Sequence, residues 1–171
     1  MNTKDLFEQA KQDIMRCGEY APTMKVESDI CGIATFEFEV FPRKTMDKQK
    51  LFFMCGRAYG MKHRGAEIRQ IAFMSETWVS CDPAYDFSDE DPARREAIII
   101  GVLNIDNKKV SQEMWIAEIV RAGDVVNLLP QEKMGSADNH LLTAFLAGFA
   151  SAVMSDIEFA QFIVEQHEEL L

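Results

Sequence analysis

"REAIIIGVLNID", residues 95–106, decides the fold of this chain. Apolar side chains occupy both parities of the run: Ile98, Ile100 and Val102 on one, Ile99, Leu103 and Ile105 on the other. Successive side chains of a strand point to opposite faces of its sheet. A strand that is apolar on both faces is buried on both, and such strands usually lie in the middle of a sheet. The run therefore predicts a central strand, with helices on both faces of the sheet.

Working outward, residues 68–80 read as a strand before it. After it, "NKK" makes a turn into a third strand, "VSQEMWIAEIVR", residues 110–121. Earlier in the chain, "TMKVESDICGIATFEFEVF" reads as a hairpin. Its second arm alternates Ala34, Phe36, Phe38 and Val40 with Thr35, Glu37 and Glu39. Residues 28–32 hold its turn, and Pro42 ends it.

Helices surround these strands. Residues 2–17 place Leu6, Phe7, Ala10, Ile14 and Cys17 on one face at 3.6 spacing. Asn2 or Thr3 can cap the start, and Gly18 can take the left-handed closing conformation. A second helix runs from a Thr45 cap to Gly65, with Leu51, Phe52, Cys55, Ala58 and Tyr59 as its buried stripe. Gly56 and Gly60 inside it each cost about 1 kcal/mol against alanine. Close approach of another backbone is the compensation they suggest. Residues 123–135 form a connection containing a short extended piece, "DVVNLL". Two helices follow, one over Leu141–Met154 capped by Ser136 or Asp138, and one opened by the capping-box pattern "SDIE" at Ser155. The sequence reads as free of internal repeats.

The expected fold is thus α+β: an antiparallel sheet of about five strands with helices on both faces, in the order α-β-β-α-β-β-β-α-α. Residues 1–135 form the core domain. Residues 136–171 are a C-terminal helical extension, packed on the core or on a second subunit. The element order resembles the roadblock and profilin-like architecture. "SETW" (75–78) followed by "DPARREAIII" (91–100) also resembles a group of uncharacterised bacterial and bacteriophage proteins. In those an SE-x-W strand precedes a P-x-R-x-E strand entrance. The matching positions are Ser75, Glu76, Trp78, Pro92, Arg94 and Glu96, and the likeness spans about residues 20–122. The resemblance implies no activity.

At 171 residues the chain can bury one real core. Its 18 basic and 28 acidic residues leave a net charge of −10, which repels phosphate backbones and anionic lipid surfaces. No nucleic-acid or membrane partner is expected. The longest apolar run, Leu141–Met154, contains Thr143 and Ser151 and is short for a membrane span. Cys17, Cys31, Cys55 and Cys81 form no C-x-x-C pair, and His63, His140 and His167 are scattered, so no zinc site is expected. The thiols read as small buried hydrophobes of a reducing cytoplasm, and no secretory leader is recognised. Asp82, Asp86, Asp89, Glu90 and Asp91 lack the spacing and glycine of a calcium loop. No metal or cofactor is expected.

Two candidate sites remain. The first is Glu76, Trp78, Arg94, Arg95 and Glu96. If Glu76 and Arg94 meet across neighbouring strands, a carboxylate–guanidinium fork results. It reads as a staple closing the 81–94 connection, as a ligand-binding rim, or as a general acid/base, in that order of preference. No histidine or nucleophile is linked to it in sequence. The second is the apolar helix after residue 136. Leu141, Phe145, Gly148 and Phe149 are the candidate seam of a homodimer, with burial inside the chain as the alternative. The expected function is a non-enzymatic, self-associating interaction module. The alternative is an enzyme or small-ligand-binding protein centred on Glu76, Trp78, Arg94 and Glu96.

Overall fold

A computed structural model describes residues 1–80, 92–107, 109–123, 125–129, 131–134 and 139–153. The acidic 81–91 segment with Cys81, the Ser136 and Asp138 caps, and the helix expected from Ser155 lie outside the described residues. The elements are α1 (Thr3–Cys17), β1 (Thr23–Ser28), β2 (Gly32–Glu37), α2 (Thr45–Lys62), β3 (Ile68–Val79), β4 (Arg95–Asp106), β5 (Lys109–Ala122), β6 (Val125–Leu128), β7 (Glu132–Met134) and α3 (His140–Ser151). The chain divides into two compact units. One comprises Met1–Phe41 with Ile68–Asn139, the other Pro42–Glu67 with the chain from His140 on.

The first unit is α1 and the sheet. All strand pairs are antiparallel, in the order β2-β1-β3-β4-β5-β6, with β7 also on β5. Among the described residues the sheet has seven strands, not about five. The two additions are short and lie along β5, and backbone pairing recruits them where hydrophobic periodicity is too brief to announce a strand. Ile119 pairs with Leu128 and Ile116 with Glu132, so both short strands lie along the same edge of β5.

β4 sits inside the sheet, as its sequence predicts. Ile98, Ile100 and Val102 are buried on one face and Leu103 on the other. On the first face they pack with Ala72, Met74, Ala117 and Ile119 against Leu6, Phe7, Ala10 and Ile14 of α1. Burying each large side chain of that stripe contributes roughly 1.5–3 kcal/mol. The Asn2 side chain accepts from the Lys4 amide at 2.9 Å, and Gly18 closes the helix at φ 85°. On the opposite face Met24, Val26, Ile71 and Phe73 are also buried, and Phe41 stacks on Phe73 with centroids 5.5 Å apart.

The second unit, as far as it is described, is the pair α2 and α3. A Cβ added to Gly56 would lie 1.9 Å from the Phe145 carbonyl oxygen and 2.9 Å from the Phe149 nitrogen. One added to Gly148 would lie 1.9 Å from the Phe53 oxygen and 3.0 Å from the Arg57 nitrogen. Each glycine thus meets the carbonyl three residues before, and the amide one residue after, the other glycine. The contact has a local two-fold character, and the sequence carries it. "FMCGRAYG", residues 53–60, and "FLAGFASA", residues 145–152, share F-x-x-G-x-A-x-small. The chain therefore does contain a short internal repeat. The backbone approach that Gly56 and Gly60 suggested is real, and its partner is α3. Arg57 donates to the Ser151 carbonyl at 2.6 Å, placing a cation at the negative end of α3.

Several local expectations fail. Ala58, expected in the buried stripe of α2, is exposed, because the face that α2 turns to α3 centres on Phe52, Gly56, Tyr59 and Gly60. The α2 cap position falls on Lys44 with no side-chain cap bond, and Thr45 is the first helical residue. β2 stops at Glu37, leaving Val40 exposed. Cys17 is exposed, because it sits in the last turn of α1 beyond the buried stripe.

Candidate functional site

β3 and β4 lie side by side, with Glu76 opposite Ile98 and Trp78 opposite Glu96. Glu76 follows the buried Met74 by one step on the α1 face. Glu96 precedes the buried Ile98, and on β5 Arg121 follows the buried Ile119. Three charges thus extend the same apolar face at the same end of the sheet.

Arg121 joins them. Its Nε donates to Glu96 Oε2 at 2.7 Å, and a second terminal nitrogen donates to Glu96 Oε1, making a two-pronged pair. That same nitrogen lies 3.7 Å from Glu76 Oε1. The other terminal nitrogen donates to the Gly18 carbonyl at 2.8 Å. Glu76 Oε2 accepts the Tyr20 backbone N–H at 2.9 Å. The cluster therefore grips both ends of a three-residue piece of the α1–β1 connection. The Tyr20 ring is buried there, and its hydroxyl donates to Met74 Sδ at 3.6 Å. Burial pushes that phenol's pKa up.

The two carboxylates titrate in opposite directions. Burial, with a hydrogen bond to Glu96 that keeps a proton on Glu76, raises Glu76 to about 7 against the opposing pull of the Tyr20 amide and Arg121. The Arg121 fork holds Glu96 below the usual carboxylate range. Glu96 in turn holds Arg121 protonated. The side chains are 22%, 14% and 33% exposed for Glu76, Glu96 and Arg121, so solvent reaches the group. A carboxyl half-protonated at neutral pH can exchange a proton with a bound molecule.

The remaining sequence candidates divide. Trp78 is on the same face, 43% exposed, with the Arg94 guanidinium carbon 4.8 Å from its ring centroid. Arg94 does not clamp Glu76. Glu76 faces Ile98, four residues and about 13 Å along β4 from Arg94, too far for a side-chain pair. Arg95 points to the opposite face, where it pairs with Glu118 at 3.2 Å. The stapled segment is therefore the α1–β1 connection, with Arg121 as the cation. Arg121, Gly18 and Tyr20 were not candidates from sequence. The one available signal was parity: Arg121 is a cation continuing the Ala117, Ile119 series.

Of the proposed seam residues, Phe145 and Gly148 are buried against α2 of the same chain, and Phe149 lies 6.1 Å from Tyr59 between ring centroids. Leu141 is half-buried. Among the described residues no helix is long and apolar enough to cross a membrane. Nor do three His, Cys, Asp or Glu side chains group there as a metal site. The fold and site thus define an α+β protein with an antiparallel sheet and a charged cluster at one end of it. Comparison with protein-family models, curated proteins and solved structures finds no match for this chain.

Proposed function

We propose that this chain is a non-enzymatic interaction module that self-associates through the sheet end bearing Trp78 and Arg94. The observation that carries it is the exposure of Trp78 on a face whose inner residues, Met74, Ile98 and Ile119, are buried. Tryptophan and arginine are the side chains most enriched in binding hot spots. Here β3 holds the indole and Arg94 stacks on it, so little freedom is lost on contact. By contrast Trp115 packs against the core and donates its N–H to Glu113 at 3.2 Å.

A second copy is the partner that the charge pattern fits. The patch carries Glu76 and Glu96 beside Arg94 and Arg121. Such a mixture is complementary to itself across a two-fold axis. The α3 seam supports association less well, since Phe145 and Gly148 are already engaged with α2. An exposed, unbridged Cys17 supports a reducing, cytoplasmic setting. Sedimentation equilibrium tests the reading. The expected mass is twice the 19.5 kDa of the monomer, falling to that of the monomer in Trp78→Ala with an unchanged melting temperature. A wild-type monomer at about 100 μM, a concentration far above the micromolar Kd of an ordinary specific contact, overturns it.

One observation favours a second reading. Glu76, titrating near 7 beside Glu96, suits a small-ligand or proton-transfer site ringed by Glu76, Trp78, Arg94 and Glu96. In that case Arg94→Ala removes ligand binding and leaves the mass unchanged.

A further inference from the structure

Arg95 takes no part in the cluster above, and its own surroundings form a second site. On the sheet face opposite α1, a cavity of about 220 Å³ opens where Arg95 of β4, Glu118 of β5 and Glu132 of β7 come together. Its floor is apolar: Val79, Ala97 and Ile116, with Leu129 as a wall. Leu129 is fixed here, its N–H donating to the Glu118 carbonyl oxygen at 2.9 Å.

We propose that this cavity binds a small primary amine with a short branched aliphatic body. Three features select that chemistry. Among the described residues the rim carries Glu118, Glu132 and Arg95, and Arg95 is paired with Glu118 at 3.2 Å, so the charge these residues leave over is negative. Ile116 pairs with Glu132 across the ladder, which sets that carboxylate directly beside the apolar floor. The volume lies below the roughly 300–1,000 Å³ of drug-sized sites, so the occupant has only a few carbons. An ammonium on Glu132 and a hydrocarbon body over Ile116 and Ala97 satisfy all three. The protein's net charge of −10 also concentrates cations around it.

The test titrates the full chain with 3-methylbutylamine and, separately, with 3-methylbutanoate, following backbone amide shifts by NMR. The amine should saturate, with shifts centred on Ala97, Ile116 and Leu129, and the carboxylate should bind at least about tenfold more weakly. Glu132 is exposed on a short edge strand, so Glu132→Gln should keep the wild-type spectrum and weaken the amine by about tenfold. Glu132→Lys should reverse the preference toward the carboxylate. Non-saturating shifts, equal binding of the two probes, or amine binding indifferent to both substitutions each overturn the proposal. Because the cavity is on the opposite face from Trp78, Trp78→Ala should leave the amine titration unchanged whatever it does to the mass.

Discussion

The sheet end and the helix pair solve the same problem by opposite means. At the sheet end, Arg121 draws together Glu76, Glu96, Gly18 and Tyr20 with charge and directed hydrogen bonds. Between α2 and α3, the contact depends on what is missing, because Gly56 and Gly148 leave room for the facing carbonyls. A charged cluster half open to solvent tolerates loss of one member, since water replaces it. A backbone-to-backbone contact has no such reserve, since even one methyl group must displace a helix.

The largest effect expected from this contrast is at the glycines. Gly148→Ala and Gly56→Ala should each destabilise the protein by about 3 kcal/mol or more, measured by urea unfolding. The double substitution should cost less than the sum, because the first already separates the helices. Strict additivity would break the comparison.

Next comes the cluster's centre. Arg121→Ala leaves Glu96 without its fork and frees the Gly18 carbonyl. It should cost about 1–2 kcal/mol and selectively accelerate amide exchange in the α1–β1 connection. Arg121→Lys should recover only part of this, because a lysine cannot make the two-pronged contact. Full recovery would show that charge alone holds the segment.

A smaller effect follows from titration. The folded protein holds a proton on Glu76 up to about pH 7, whereas the unfolded chain releases it near 4.5. Between these values the unfolded state binds fewer protons, so this group's contribution to stability falls as pH rises from 4.5 to 7 and is level above. Glu96, with its pKa lowered, works the other way: its contribution is present above 4.5 and lost as pH falls below it. Discounted for partial exposure, the Glu76 slope amounts to about 1 kcal/mol across the window. Glu76→Gln should flatten it in melts at pH 5 and 7.5. An unchanged slope would remove the shared proton from the account.

The smallest effect on stability is expected at Trp78. Trp78→Ala should change unfolding free energy by no more than about 0.5 kcal/mol while altering the solution mass. Destabilisation well beyond that would make the indole part of the core and not a contact surface.

Much of the architecture was legible because it rests on short-range rules. The two-sided apolar pattern of residues 95–106 places β4 inside the sheet, and Gly18 closes α1 where a left-handed residue was expected. β6 falls within the extended piece read at "DVVNLL", but neither its pairing nor β7 could be read, since three or four residues carry no period and their place in the sheet comes from pairing with β5. Glu76, Trp78 and Glu96 were legible as a group because they flank apolar strands. Their cation was misassigned because a neighbour in sequence, Arg94, stood closer to hand than a residue on the third strand.

The sequence by itself determined where the described helices and the long strands run, which side chains of α1 and β4 meet in the core, and that two glycines in α2 needed a close neighbour. Those follow from periodicity and from the room a missing Cβ leaves. Only the tertiary structure decided that the neighbour is α3, that Arg121 and not Arg94 completes the carboxylate pair, and that Arg95 serves the other face. Each of these depends on strand register or helix docking. A one-residue change of register would exchange the faces, and nothing local to any of these residues specifies it.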